Sequence, residues 1–267
     1  MDAEVVTQTA HQLSWWGMVL SFVPLAACLW IFHWLRTPLA RDLLVSSGRM
    51  AVQLFLVGLY LTFLFRWNHP AVTLGYIALM TAVANFSILR NSHLSMSMYV
   101  TTLPAFSLAV FAVLGWYTLL VFTPSPLYDA RYMVPVAGMI LGNTMGRVII
   151  TLERFYASLR EDSEGYAALV VMGATRIEAS MPYLRKAHRA GIGPSLANMA
   201  TMGLVSLPGM MTGQILGGSS PLVAIQYQIA IILAIFVATE LAAILCVLVS
   251  LKKGLDDYGY PDPSVHK

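Results

Sequence analysis

The sequence predicts an all-α polytopic membrane protein, and three observations carry that prediction. Hydrophobic residues make up 58% of the chain and charged residues only 11%, against about 25% charged in an ordinary soluble domain. So few polar side chains cannot cover the surface of a water-soluble fold of 267 residues, and so many apolar ones exclude a disordered chain. Second, apolar stretches recur at about 14–32, 46–65, 71–89, 100–122, 132–152, 194–216 and 222–250. Each approaches or exceeds the roughly 20 residues needed to cross a hydrocarbon core of about 30 Å. Third, of the 16 Lys and Arg residues, only Arg66 and Arg131 fall in loops on one side of the resulting topology. Positive charge collects in cytoplasmic loops. The expectation is therefore seven helices, N-terminus outside and C-terminus cytoplasmic, in one transmembrane domain over 1–267.

Taken in order, the first stretch does not read as a cleavable signal peptide. Its flank carries Asp2 and Glu4 and no Lys or Arg, whereas a signal peptide starts basic. The second to fifth stretches are joined by short loops. Arg49 and Arg147 lie near helix ends, where they can snorkel. The segment 153–193 stands apart as a long, mixed-charge insertion. Its apolar positions Tyr166, Leu169, Val170, Met172, Ile177, Met181 and Leu184 alternate with charges and predict an amphipathic hairpin. Two readings fit it: a docking element for a cytoplasmic partner, or a solvated hairpin on the membrane surface. Cys28 and Cys246 sit inside apolar runs as small hydrophobes, with no CxxC pattern.

Several chemistries lack their residues. There is no GxxxxGK[ST] loop for nucleotide phosphates and no HExxH or Ser/His/Asp set. The six histidines read as helix-end or loop residues. A proton-driven carrier usually shows several acids inside the bilayer, and here Glu240 is the one clear case. It lies about ten residues from the end of its span, roughly 15 Å deep by helix rise, with Arg49 as the nearest plausible cation. Energy for transport would then come from another subunit, or conduction is passive. No catalytic residue, resident metal or nucleic-acid partner is expected.

The polar and small residues inside the spans supply the remaining signals. Gly138, Gly142 and Gly146 recur every four residues, as do Gly209, Gly213 and Gly217. Small residues so spaced allow close helix approach, within one chain or across a dimer. Asn143 places an amide on the first seam, and Pro208 removes a backbone donor in the sixth span. Broken backbone at membrane depth is tolerated where it is buried or lines a cavity. Met139, Met145, Met199, Met202, Met210 and Met211 concentrate on the same two spans. Thioethers suit soft metals better than iron and also serve as adaptable packing.

The segment Ala167-Ala168-Leu-Val-Val-Met-Gly173-Ala174-Thr175 is similar to the EAA-x3-G-A-[ST] signature of ABC importer permeases, with Ala167 where that signature has Glu. The runs 135–145 and 203–215, with the 173–175 turn and 224–229, resemble the FetB family of iron-export ABC permeases, whose plant relatives are linked to aluminium tolerance. The resemblance spans about 43–250 and leaves out the acidic N-terminal arm and the tail after Lys253.

It implies a non-enzymatic permease subunit in the inner (plasma) membrane, in contact with lipid and paired with a second copy of itself. Two copies of a separate ABC ATPase would bind the ATP, and the chain itself would hold no cofactor. Transport would be export of a metal ion, iron by resemblance, by alternating access. The expected pathway is Met139, Asn143, Pro208, Gly209, Met210, Gln214 and Glu240, and the expected coupling set is Ala168, Gly173, Ala174, Thr175 and Glu178. Gly138, Gly142, Gly146, Gly213 and Gly217 would pack helices. Two other functions fit the residues: a stand-alone channel or carrier using Glu240, and a scaffold whose hairpin recruits a partner.

Overall fold

A computed structural model describes residues 14–254. Ten α-helices are described: α1 (Trp15–Leu20), α2 (Leu25–Trp34), α3 (Ala40–Trp67), α4 (Pro70–Asn91), α5 (Tyr99–Tyr117), α6 (Ala130–Glu161), α7 (Ser163–Val171), α8 (Arg176–Thr201), α9 (Gly209–Leu216) and α10 (Pro221–Gly254). No strand occurs among the described residues. The protein is an all-α polytopic membrane protein. Six helical segments are long and apolar enough to cross a bilayer: 15–34, 40–67, 70–91, 96–122, 130–161 and 221–254.

The sixth expected span differs. The stretch 194–216 is not one helix: α8 stops at Thr201 and α9 starts at Gly209. Between them Gly203 takes φ +86°, a conformation easy only for glycine, and its amide closes a tight loop on the Ser206 carbonyl at 2.9 Å. Pro208 cannot donate an amide, and its carbonyl accepts from Thr212 at 3.1 Å in the first turn of α9.

The chain divides into two compact units, one of 1–67 with 213–220 and one of 68–212 with 221–267. The first holds α1–α3. Its helices are apolar on most faces, and Leu64 is the one buried residue of α1–α3. Trp15, Trp16, Trp30 and Trp34 are all exposed, as suits side chains that meet lipid.

The second unit carries the core. There α6 packs against α4, α8 and α10, and α10 packs also against α5. Small residues set these distances. Ala234, Ala238, Ala242 and Cys246 recur every four residues on α10, and none is exposed. That stripe lets neighbouring backbones approach closely. Polar pairs lie between the same helices: Thr144 and Thr239 hydroxyls at 3.3 Å, and Tyr156 donating to Ser250 at 2.8 Å. Asn85 on α4 is held by α5, its Oδ1 accepting from Thr102 at 3.1 Å and its Nδ2 donating to the Tyr99 carbonyl at 3.4 Å. In hydrocarbon such polar groups must find protein partners, so Asn85 is a structural residue.

The expected glycine seam is not closed within one chain. A Cβ added to Gly142, Gly146, Gly209 or Gly213 would meet nothing within 4 Å, and at Gly138 it would meet only the end of Met80. At Gly217 the nearest atoms are carbonyls of its own local turn. Close helix approach falls instead to the alanine stripe and to Gly191 and Gly254, where a Cβ would collide with Thr151 and Tyr156 respectively.

Candidate functional site

Three helices and the break before α9 line a half-open cavity of about 230 Å³ in the second unit. Helix periodicity explains the lining. Met139, Asn143 and Arg147 lie four apart on one face of α6. Ser195, Asn198, Met199 and Met202 follow the same face of α8 through its C-cap, and Gln228, Ile232, Ile235 and Phe236 do so on α10. Pro208, Gly209 and Met210 complete the wall at the break. A second hollow of about 430 Å³ shares Met199, Met202, Pro208, Gln228 and Ile232 with the first. It adds the apolar side chains of Leu207, Met211, Ile225, Ile229 and Leu233.

The polar groups of the first cavity are unevenly satisfied. Asn143 Nδ2 donates to the Met139 carbonyl at 2.8 Å. Gln228 is buried, yet its Oε1 has no hydrogen-bond partner among the described residues. Arg147 forms no ion pair with any described carboxylate. The cavity wall thus offers one guanidinium, three amides, a hydroxyl and four thioethers, and no acidic side chain. Nowhere among the described residues do three His, Cys, Asp or Glu side chains cluster.

Of the expected pathway residues, Met139, Asn143, Pro208, Gly209 and Met210 come together here. Gln214 and Glu240 do not line the cavity. Glu240 Oε2 lies 2.6 Å from His188 Nε2, so its partner is a histidine on α8 rather than Arg49. That histidine sits well inside α8, against the expectation that every histidine occupies a helix end or loop. Arg147 departs from the expected helix-end position. It is seventeen residues past Ala130 and fourteen before Glu161 in α6, roughly 25 and 21 Å from the two ends. It lines a cavity at mid-helix instead of snorkelling from an end. Its spacing from Asn143 would have found it; Gln228, an amide in a long apolar helix, gives no comparable signal.

The hairpin forms from α7, the turn 172–175 and the start of α8. Asp162 caps α7 through the Gly165 amide at 3.2 Å. Met172 donates to the Ala168 carbonyl at 3.0 Å, Gly173 to Val170 and Ala174 to Leu169, with Gly173 at φ +95°. This is a glycine helix stop. Thr175 and Glu178 then form a capping box: the Glu178 carboxylate accepts from the Thr175 amide at 2.8 Å, and the Thr175 hydroxyl accepts from the Glu178 amide at 3.3 Å. Hydrogen bonds from the Thr175 backbone and hydroxyl hold the Glu178 carboxyl below its usual range. Tyr183 braces the base by donating to Asp162 Oδ2 at 2.9 Å. Burial, then that bond, pushes its hydroxyl up to about 12. The tip is apolar and bare, with Val171 87% and Met172 75% exposed.

Six helical segments long and apolar enough to span a bilayer, with a polar-lined cavity in the second unit, mark a polytopic membrane protein. The chain belongs to the family described as "Uncharacterised protein family (UPF0014)", which matches residues 15–254. It is 30% identical over 235 residues to "UPF0014 membrane protein YjkA" of Bacillus subtilis (strain 168), covering 88% of this chain and 92% of the relative. It is 26% identical over 244 residues to "Probable iron export permease protein FetB" of Escherichia coli (strain K12), covering 91% and 93%. "Protein ALUMINUM SENSITIVE 3" of Arabidopsis thaliana is 30% identical over 194 residues, covering 72% and 70%. No solved structure matches the chain.

Proposed function

We propose that this chain is the membrane-spanning subunit of an ABC-type exporter in the inner (plasma) membrane, driven by a separate ATPase. The observation that carries the reading is the hairpin tip. Val171 and Met172 project from a rigid, doubly capped turn. An exposed apolar knob on a braced helix pair suits a groove on another protein. With the N-terminus outside, the tip lies in the cytoplasm, where an ATPase is available. The charge asymmetry of the loops supports that orientation. Iron as cargo follows from the name of the Escherichia coli relative.

Two copies of the chain would pair with two ATPase subunits. The open face of Gly142 and Gly146 offers a place for the second copy, since small residues favour close helix contact. ATP binding would draw the hairpins together. α8 carries that movement inward, because the same helix holds Ser195, Asn198 and Met199 at the cavity. The His188–Glu240 contact ties α8 to α10 along the way. The cavity would then open alternately to the two sides, through a wall already interrupted at 202–208.

Replacing Gly173 by Val tests the reading. A β-branched residue is strained at a positive φ, so the turn must rearrange. The expected result is a chain that reaches the membrane but loses ATP-driven iron efflux at least tenfold. A Gly173→Val complex that transports normally would reject the docking role.

A further inference from the structure

The cavity's donor set also indicates the chemical form in which cargo arrives. A bare hard cation seeks carboxylate, imidazole or water oxygen, and the wall supplies no acid or histidine. It supplies instead Arg147, a fixed positive charge without a described carboxylate partner. A charged side chain within a spanning helix characteristically faces a pathway or a partner, and Arg147 lines the cavity. Unneutralised in the cavity, it repels a free cation and attracts an anion. Gln228 gives an independent indication. Its buried Oε1 is an acceptor with no described donor, and such a group favours an occupant that brings a hydroxyl. The thioethers of Met139, Met199, Met202 and Met210 line the rest with soft, adaptable surface.

Resting on the export reading above, we propose that the cavity takes its metal as an anionic hydroxycarboxylate chelate, not as the free ion. The Arg147 guanidinium receives a carboxylate, for which its planar fork is suited. The ligand's hydroxyl donates to Gln228 Oε1, and Asn143 and Asn198 contribute amide contacts along the wall. A cavity of about 230 Å³ far exceeds the roughly 10–15 Å³ that one water needs, so a small polycarboxylate has room.

The test uses the full-length chain in neutral-lipid nanodiscs. Binding of radiolabelled citrate, ferric citrate and ferrous ion is measured by equilibrium dialysis for wild type, Arg147→Gln, Arg147→Lys and Gln228→Leu. Wild type is expected to bind citrate and ferric citrate saturably and to prefer them to ferrous ion. Arg147→Gln should lose at least tenfold and Gln228→Leu severalfold, and Arg147→Lys should fall between wild type and Arg147→Gln because it keeps the charge but not the planar fork. Should Arg147→Gln not fold, the Arg147→Lys and Gln228→Leu comparison carries the test. Absent citrate binding, tighter ferrous than ferric citrate binding, or chelate binding indifferent to both positions overturns the proposal. Displacement of citrate by nanodiscs containing phosphatidylglycerol would also overturn it, by assigning Arg147 to a lipid headgroup. Iron efflux from cells separates the two readings. Efflux absent with Arg147-dependent citrate binding intact rejects the export function and keeps the anion site. Efflux intact with Arg147-independent binding does the reverse.

Discussion

The two halves of α6 make different use of the same neighbours. From Val148 to Leu159 the helix buries Thr151, Leu152, Phe155, Tyr156 and Ser158. There Thr151 lies against Gly191 of α8, and Tyr156 reaches Ser250 and Gly254 of α10. From Met139 to Arg147 the same helix faces a cavity bounded by the same α8 and α10. Residue size separates the halves. Glycines on α8 and α10 admit α6 closely in the packed half, whereas Met139, Asn143 and Arg147 line a cavity in the other half, where Thr144 on a neighbouring face still meets Thr239 of α10. A packed interior resists deformation. The arrangement therefore provides a stiff region at one end and an adjustable wall at the other, which suits the alternating access proposed above.

Paired substitutions test that contrast with the largest expected effect. Gly191→Leu inserts a side chain where a Cβ already collides with Thr151, and overpacking of this kind costs about 1–3 kcal/mol. Gly142→Leu meets no atom of its own chain within 4 Å. Thermal unfolding in detergent should fall sharply for Gly191→Leu and stay near wild type for Gly142→Leu, which should instead weaken self-association. Equal losses of stability would erase the distinction between the halves.

A smaller effect is expected at the joint between them. Glu240→Gln keeps a hydrogen-bonding side chain toward His188 but removes the ionisable group. Altering one side-chain hydrogen bond is worth about 1 kcal/mol. ATP-driven transport should drop severalfold, while cargo binding stays unchanged because Glu240 does not line the cavity. Lost binding would return Glu240 to the pathway.

The smallest effect concerns the hairpin's cap and pH. The folded Glu178 carboxyl is held below its ordinary value. Its contribution is therefore complete above the unfolded pKa and is lost as pH falls through the lower, folded one. Amide exchange at Thr175 and Glu178, corrected for its intrinsic pH dependence, should accelerate only below the ordinary carboxylate range in wild type. In Glu178→Gln that step should vanish, and its persistence would remove the cap from the explanation.

Most of the fold was legible because spanning a bilayer imposes a length and an apolar composition on each helix. The sixth stretch misled because hydropathy alone does not distinguish a continuous helix from one interrupted at 202–208, although Gly203 and Pro208 marked the place. The close-packing face within one chain was hidden for a related reason. Glycine repeats stand out in a sequence, while Ala234, Ala238, Ala242 and Cys246 merge into an apolar run, and only the fold shows which small residues face a neighbour. At the site, Asn143 and Met139 were legible from their position on α6. Arg147 was assigned to a helix end because the span was expected to stop near 152, whereas α6 runs on to Glu161. His188 was hidden because α8 begins polar and ends apolar, so its middle resembled a loop.

The central claim is that the α7–α8 tip meets a separate ATPase, and cross-linking from Met172 tests it most directly. A photoreactive residue at position 172, activated in native membranes, should give one dominant adduct that mass spectrometry identifies as an ABC-type ATPase. The yield should change when ATP hydrolysis is blocked. Adducts with lipid alone, or with a protein that binds no nucleotide, would contradict the account.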